Sequence, residues 1–237
     1  MRVGEVLGEA WQLYRSHWRH FVSIALAVYL LIALATLLPM LLLGLIGLVA
    51  AALVQVAGVF WLQGALVVAV EDVRDGRADL TIGQTLAGLR KRINTLSLAA
   101  LTVLVVGAAA GALLALGLLL YVIPGLVVLA VVLFLVVRWS LLVPVIMLEG
   151  KGVFGAARRS RELVRGSGWA MLGVIVLSVV FMIIVSIVIA IALVWLPDWL
   201  QGFVITLVGG SVTAPFAALA WTIAYHRLRS GREPAAA

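Results

Sequence analysis

Over most of this chain the apolar positions neither alternate nor recur in stripes; they run on without interruption. No charged residue occurs from Phe21 to Val70, from Ile93 to Val137, from Trp139 to Leu148, from Gly166 to Pro197 or from Trp199 to Tyr225. A helix needs about 20 apolar residues to cross about 30 Å of hydrocarbon, so the first two runs each hold a helical hairpin and the later ones single helices. Turn residues stand where the hairpins should reverse: Pro39 with Gly44 and Gly47, then Pro124-Gly125, then Pro197-Asp198. The pattern predicts six spans, near 21–38, 46–70, 95–119, 126–148, 169–196 and 203–226. A transmembrane β-barrel would alternate in polarity, so the expected class is all-α: a polytopic membrane protein of three hairpins.

A polar, helix-compatible segment precedes each hairpin, and the order segment, span, span occurs three times. The chain thus divides into units 1–72, 73–148 and 149–230 of a single integral membrane domain, with a short tail at 231–237. Leu7-Gly8, Ile82-Gly83 and Phe154-Gly155 open the three segments, 75 and then 72 residues apart, which points to an internal repeat. In the first segment Leu7, Trp11, Tyr14 and Trp18 form one helical stripe; Ile82, Leu86, Leu89 and Ile93 repeat it in the second, with Thr81 placed as an N-cap. Amphipathic helices of this kind are expected to lie in the membrane interface, or to pack on their own spans. The third segment departs from the spacing, because Arg158, Arg161 and Arg165 replace the apolar stripe. Its apolar contacts should come from Val153, Ala156, Ala157, Leu163 and Val164, with Glu162 in reach of Arg158, Arg159 and Arg165.

Charge sets the orientation. Of 17 Lys and Arg residues, 16 fall before span one, in 71–94, in 149–168 or after span six, all on one side of the predicted bilayer. The opposite loops carry only Asp198. Cytoplasmic loops retain Lys and Arg, so both termini are expected in the cytoplasm of a multi-pass cell-membrane protein. The net charge of +7 is then a topology signal, strengthened by anionic lipid, and implies no nucleic acid. Because the first apolar run leads straight into a second, span one reads as a retained anchor rather than a cleaved signal. The chain has no cysteine, which excludes disulfides and thiolate chemistry.

Several short stretches resemble the membrane-domain family of glycerophosphoryl diester phosphodiesterases and related uncharacterised bacterial inner-membrane proteins. They are Ala10-Trp11 with Tyr14-Arg15, Asp72 and Gly76, Ile123-Pro124-Gly125, and Glu149-Gly150 with Ala157-Arg158-Arg159-Ser160 and Leu163. The last group is the most specific, and the resemblance extends over nearly the whole chain. Members of that family are sometimes fused to a soluble barrel that hydrolyses glycerophosphodiesters with metal-bound carboxylates and histidines. No stretch outside the predicted spans is long enough for such a barrel, so the resemblance implies a lipid-associated membrane module without that activity.

Candidate chemistry is sparse. Arg138 is the one ionisable side chain well inside a predicted span, about halfway along the fourth, where its cost would be ~2.5–3.5 kcal/mol. Either it serves a buried anion site for a phosphate or carboxylate, or it snorkels or bonds carbonyls freed by Pro144. Arg158, Arg161 and Arg165, with Arg159 beside them, could cradle lipid phosphates or could simply hold a loop on the positive side. Glu71, Asp72 and Glu149 end spans two and four; they are either ordinary loop carboxylates or partners of these arginines, with Glu149 holding Arg159 as a gate or lipid clamp. His17, His20 and His226 lack the further ligands a metal site needs, so neither metal nor cofactor is expected. Gly107 and Gly111 form a small-xxx-small motif for close helix packing, within the bundle or between protomers. With no nucleophile and base pairing, no phosphate-binding glycine loop and no HExxH, the expectation is a non-enzyme that binds anionic lipid or a membrane partner and supports envelope or lipid homeostasis. A transporter or lipid-translocating subunit with its anion site at Arg138 is the alternative. Expected partners are the phospholipid bilayer, a membrane protein or a second copy.

Overall fold

The computed structural model describes residues 2–76, 80–120 and 122–231. Arg77, Arg232 and the rest of the tail lie outside the described residues, as does the side chain of Asp198. The described chain is helical, with no strand, and contains six helices or helix pairs apolar and long enough to cross a membrane. The elements are α1 (Val3–Leu42), α2 (Gly44–Arg74), α3 (Ile82–Arg90), α4 (Ile93–Leu120), α5 (Val122–Trp139), α6 (Leu142–Glu149), α7 (Val153–Val164), α8 (Gly168–Ala192), α9 (Asp198–Val204) and α10 (Gly210–Ser230). A π-helical segment, Ile205–Gly209, joins α9 to α10.

The first amphipathic segment is not a separate helix. It continues into span one, with only a kink at His17 (φ −125°, ψ 25°). Its buried face also differs from the predicted stripe: Val6, Ala10, Tyr14 and Phe21 are buried, while Trp11 and Trp18 are exposed. α1 reverses into α2 at Leu43, whose N–H donates to the Pro39 carbonyl at 3.0 Å. Gly44 takes φ +52°, and a Cβ at Gly47 would fall on that same carbonyl, so both positions need glycine. Pro124 and Gly125, predicted as a turn, instead occupy the first turn of α5, where a missing N–H costs no helical bond. α3 is closed by a capping box in which the Thr81 Oγ1 accepts from the Gln84 N–H at 3.3 Å and the Gln84 Oε1 accepts from the Thr81 N–H at 2.8 Å.

Burial divides the molecule along its length. Large fully buried side chains, among them Phe21, Leu66, Leu96, Leu141, Ile146, Leu163 and Tyr225, gather at the end that carries the basic residues. Towards the other end Leu34, Leu41, Ile46, Val105, Leu119, Ile187 and Ile191 stand exposed. An apolar surface of this extent is stable only against hydrocarbon. α1, with 40 residues and a length of about 60 Å, is twice as long as that layer is thick. Its N-terminal part, the ends of α2 and α10, and α3, α6 and α7 therefore form a packed head beyond the spans. α1 packs on α2 and α10, α4 on α5, and α10 on α8.

Arg227 ties the two chain ends together in this head, its guanidinium meeting Glu5 at 2.8 Å and Glu9 at 2.7 Å.

Candidate anion site at the basic end of the bundle

The fourth apolar run, continuous in sequence from Ile123 to Glu149, is interrupted in the structure. α5 ends at Trp139 and α6 begins at Leu142. Pro144 explains the break, since its ring displaces the carbonyl of Ser140 and supplies no N–H to it. α5 alone has 18 residues, about 27 Å, which nearly fills the hydrocarbon layer. α6 continues the run beyond the break, buried through Leu142, Val143, Pro144, Val145 and Ile146.

α7 folds back along α6 and α5, and one side chain seals the break. The Ser160 hydroxyl donates to the Arg138 carbonyl at 2.8 Å and accepts from the Leu141 N–H at 3.2 Å. Ser160 is fully buried, in a row with Val153, Ala156, Leu163 and Val164. The apolar face predicted for this segment is thus the observed one, with Ala157 at its half-buried edge.

The break places Arg138 at the end of a helix. It occupies the last turn of α5, level with the end of α7 and the start of α8. There it lines a pocket of about 210 Å³ together with Phe134, Arg161, Arg165, Gly166 and Gly168. Its guanidinium lies over the Phe134 ring, 4.3 Å from the centroid.

The five candidate arginines are sorted by this geometry. Arg161 and Arg165, one helical turn apart, join Arg138 around the pocket. Arg158 points to solvent, its side chain 85% exposed, and pairs with Glu162 at 3.3 Å. Arg159 turns inward to Glu149, Nε to Oε1 at 3.1 Å. Glu149 is the centre of a second cluster: Lys151 reaches its Oε2 at 2.8 Å and the buried Tyr225 hydroxyl donates to its Oε1 at 3.0 Å. Three arginines thus line the pocket, and Glu149 and Glu162 each hold a further cation beside it.

Glu71 bonds His226 at 2.6 Å and lies 3.8 Å from Arg74; Asp72 is buried and accepts from the Leu80 N–H at 3.0 Å, holding the chain just before α3. Among the described residues no group of histidines and carboxylates could hold a metal ion. Sequence reasoning assigned no role to Ser160, Tyr225, Phe134 or Arg92. Arg92 donates to the Gly150 carbonyl at 3.2 Å across 58 positions of chain. Only Ser160 carried a signal, as part of the Ala157-Arg158-Arg159-Ser160 motif.

Residues 114–212 match the family model for the membrane domain of glycerophosphoryl diester phosphodiesterase. The matched region takes in α5 to α8 and so every residue around the arginine pocket, with Glu149 and Ser160. It is narrower than the resemblance read from the sequence, leaving Ala10-Trp11, Tyr14-Arg15, Asp72 and Gly76 outside. What matches is the membrane domain of such a phosphodiesterase and not its catalytic domain. No curated protein and no solved structure matched the chain.

Proposed function

We propose that this chain is a non-catalytic integral membrane module that binds anionic lipid headgroups at the arginine pocket and supports envelope or lipid homeostasis. The observation that carries this reading is the convergence of Arg138, Arg161 and Arg165 on one pocket at the basic end of the bundle. Guanidinium groups bind phosphate oxygens bidentately, and a lipid phosphate sits at the level where a helix of hydrocarbon length ends. The matched membrane domain supports the lipid association. In this reading the six spans form three hairpins, the segments at α1, α3 and α7 face the cytoplasm, and the basic head meets the anionic inner leaflet.

The test is lipid retention by the purified full chain in mild detergent, read by native mass spectrometry with phosphatidylglycerol and phosphatidylcholine. Arg138→Leu and the pair Arg161→Gln/Arg165→Gln are each expected to lower phosphatidylglycerol retention about tenfold, the worth of one charge-assisted contact. Arg158→Gln, on the same helix but facing solvent, should leave it within about twofold. Equal losses from all three changes would mean that bulk charge and not the pocket is responsible.

A translocating role for the same site is favoured by one feature, the broken helix at Trp139–Leu142, since interrupted spans line the sites of carriers. Reconstituted vesicles distinguish the two: a binding module leaves the leaflet distribution of a labelled anionic lipid unchanged, and a translocator equalises it in a manner lost in Arg138→Leu.

A further inference from the structure

On the opposite face of α5 from the arginine pocket lies a cavity of about 300 Å³ between α2, α4, α5 and α10. Its walls are mostly apolar, from Val59 and Phe60 of α2, Val103 and Gly107 of α4, and Val132 and Leu135 of α5, with Gln63 and Ser140 the polar side chains beside two tryptophans. Trp139 and Trp221 close it at the end nearest the head. Three features set it apart from ordinary packing. It lies within the hydrocarbon-facing part of the bundle, and its rim residues Val59, Gly107 and Val136 are exposed, so it opens sideways to lipid. Gly107 stands in open space on its rim, since a Cβ there would meet nothing within 4 Å; the small-xxx-small motif makes no close helix contact within this chain. The indole N–H groups of Trp139 and Trp221 are shielded from solvent and have no acceptor in the protein.

A buried donor without an acceptor is costly, and two such donors belong to tryptophans that line this one cavity. An occupant must therefore bring an apolar body and an oxygen acceptor at one end. In a bilayer both come from an acylated lipid, whose ester carbonyls lie just below the headgroups, the layer in which interfacial tryptophans sit. We propose that this groove binds one acyl chain of a glycerolipid, with its ester carbonyl accepting a hydrogen bond from Trp139 or Trp221. Recognition here concerns the chain and its ester and is indifferent to headgroup charge, so it stands independently of the arginine pocket.

The experiment uses the full chain in mild detergent, with two phosphatidylcholines of equal chain length, one ester-linked and one ether-linked, and native mass spectrometry as readout. The ether lacks only the carbonyl oxygen. Wild type is expected to retain the ester lipid about five- to tenfold better than the ether, as one added hydrogen bond implies. Trp139→Phe with Trp221→Phe keeps the rings and should abolish that preference while leaving ether retention as it was. Gly107→Leu should fill the groove and release both lipids, and Arg138→Leu should change neither. Equal retention of ester and ether by wild type overturns the proposal. So does a Gly107→Leu protein that unfolds like wild type and keeps both lipids, or a wild-type dimer that excludes lipid and is lost in Gly107→Leu, which would make the groove a contact between two copies.

Discussion

Replacing Ser160 with alanine should destabilise this protein far more than the loss of one hydroxyl ordinarily does. Its oxygen satisfies two backbone groups at the break between α5 and α6, the Arg138 carbonyl at 2.8 Å and the Leu141 N–H at 3.2 Å, in a site closed to water. Each buried group left unpaired costs about 1–3 kcal/mol. Some relaxation of the two-residue break is available, so the expected loss for Ser160→Ala is about 2–4 kcal/mol. Ser178 supplies the control. It is equally buried, but its hydroxyl donates at 2.8 Å to Val174, four residues back in its own helix, a carbonyl that already has its helical amide. Ser178→Ala should cost no more than about 1 kcal/mol. Both variants can be compared by reversible unfolding in mixed micelles, with tryptophan fluorescence as the signal. Because Ser160 also holds α7 beside Arg138, its loss should weaken anionic lipid retention, whereas Ser178→Ala should not. Equal stability of Ser160→Ala and wild type, or equal losses in the two variants, would refute the role given to this hydroxyl.

Gly150 sits at φ +68° against Arg92, where a Cβ would strike the guanidinium, so Gly150→Ala should cost about 1–3 kcal/mol in the same unfolding assay and Arg92→Ala should relieve part of it. A double-mutant cycle on Glu149 and Arg159, side chains 13% and 23% exposed, should give a coupling above about 1 kcal/mol. The cycle on Arg158 and Glu162, at 85% and 51%, should give under about 0.5 kcal/mol, and less still in high salt. Gly111→Ala in α4, where an added Cβ meets nothing within 4 Å, should be neutral or stabilise by up to about 1 kcal/mol; a large loss would restore the close-packing reading of this glycine.

The six spans and the helical class were legible in the sequence because the constraint behind them is one-dimensional. A backbone in hydrocarbon must satisfy its own hydrogen bonds, so long uncharged runs have essentially one structure available. Local chemistry was legible for the same reason: the Thr81 cap, the apolar face of α7 and the pairing of Arg158 with Glu162 each depend on neighbours within one helical turn. What the sequence could not supply was anything set by how helices meet. The fourth apolar run looked like one unbroken helix; Pro144 interrupts it at Trp139, a serine on another helix seals the break, and the arginine beside it meets two others. Gly107 and Gly111 looked like a helix contact within the bundle or between protomers, yet within this chain nothing reaches them. Composition fixes which segments enter the membrane, because transfer free energy adds residue by residue. Which charges converge, and which cavities stay open, depends on distances between side chains far apart in the chain, and only the packed tertiary structure decides those.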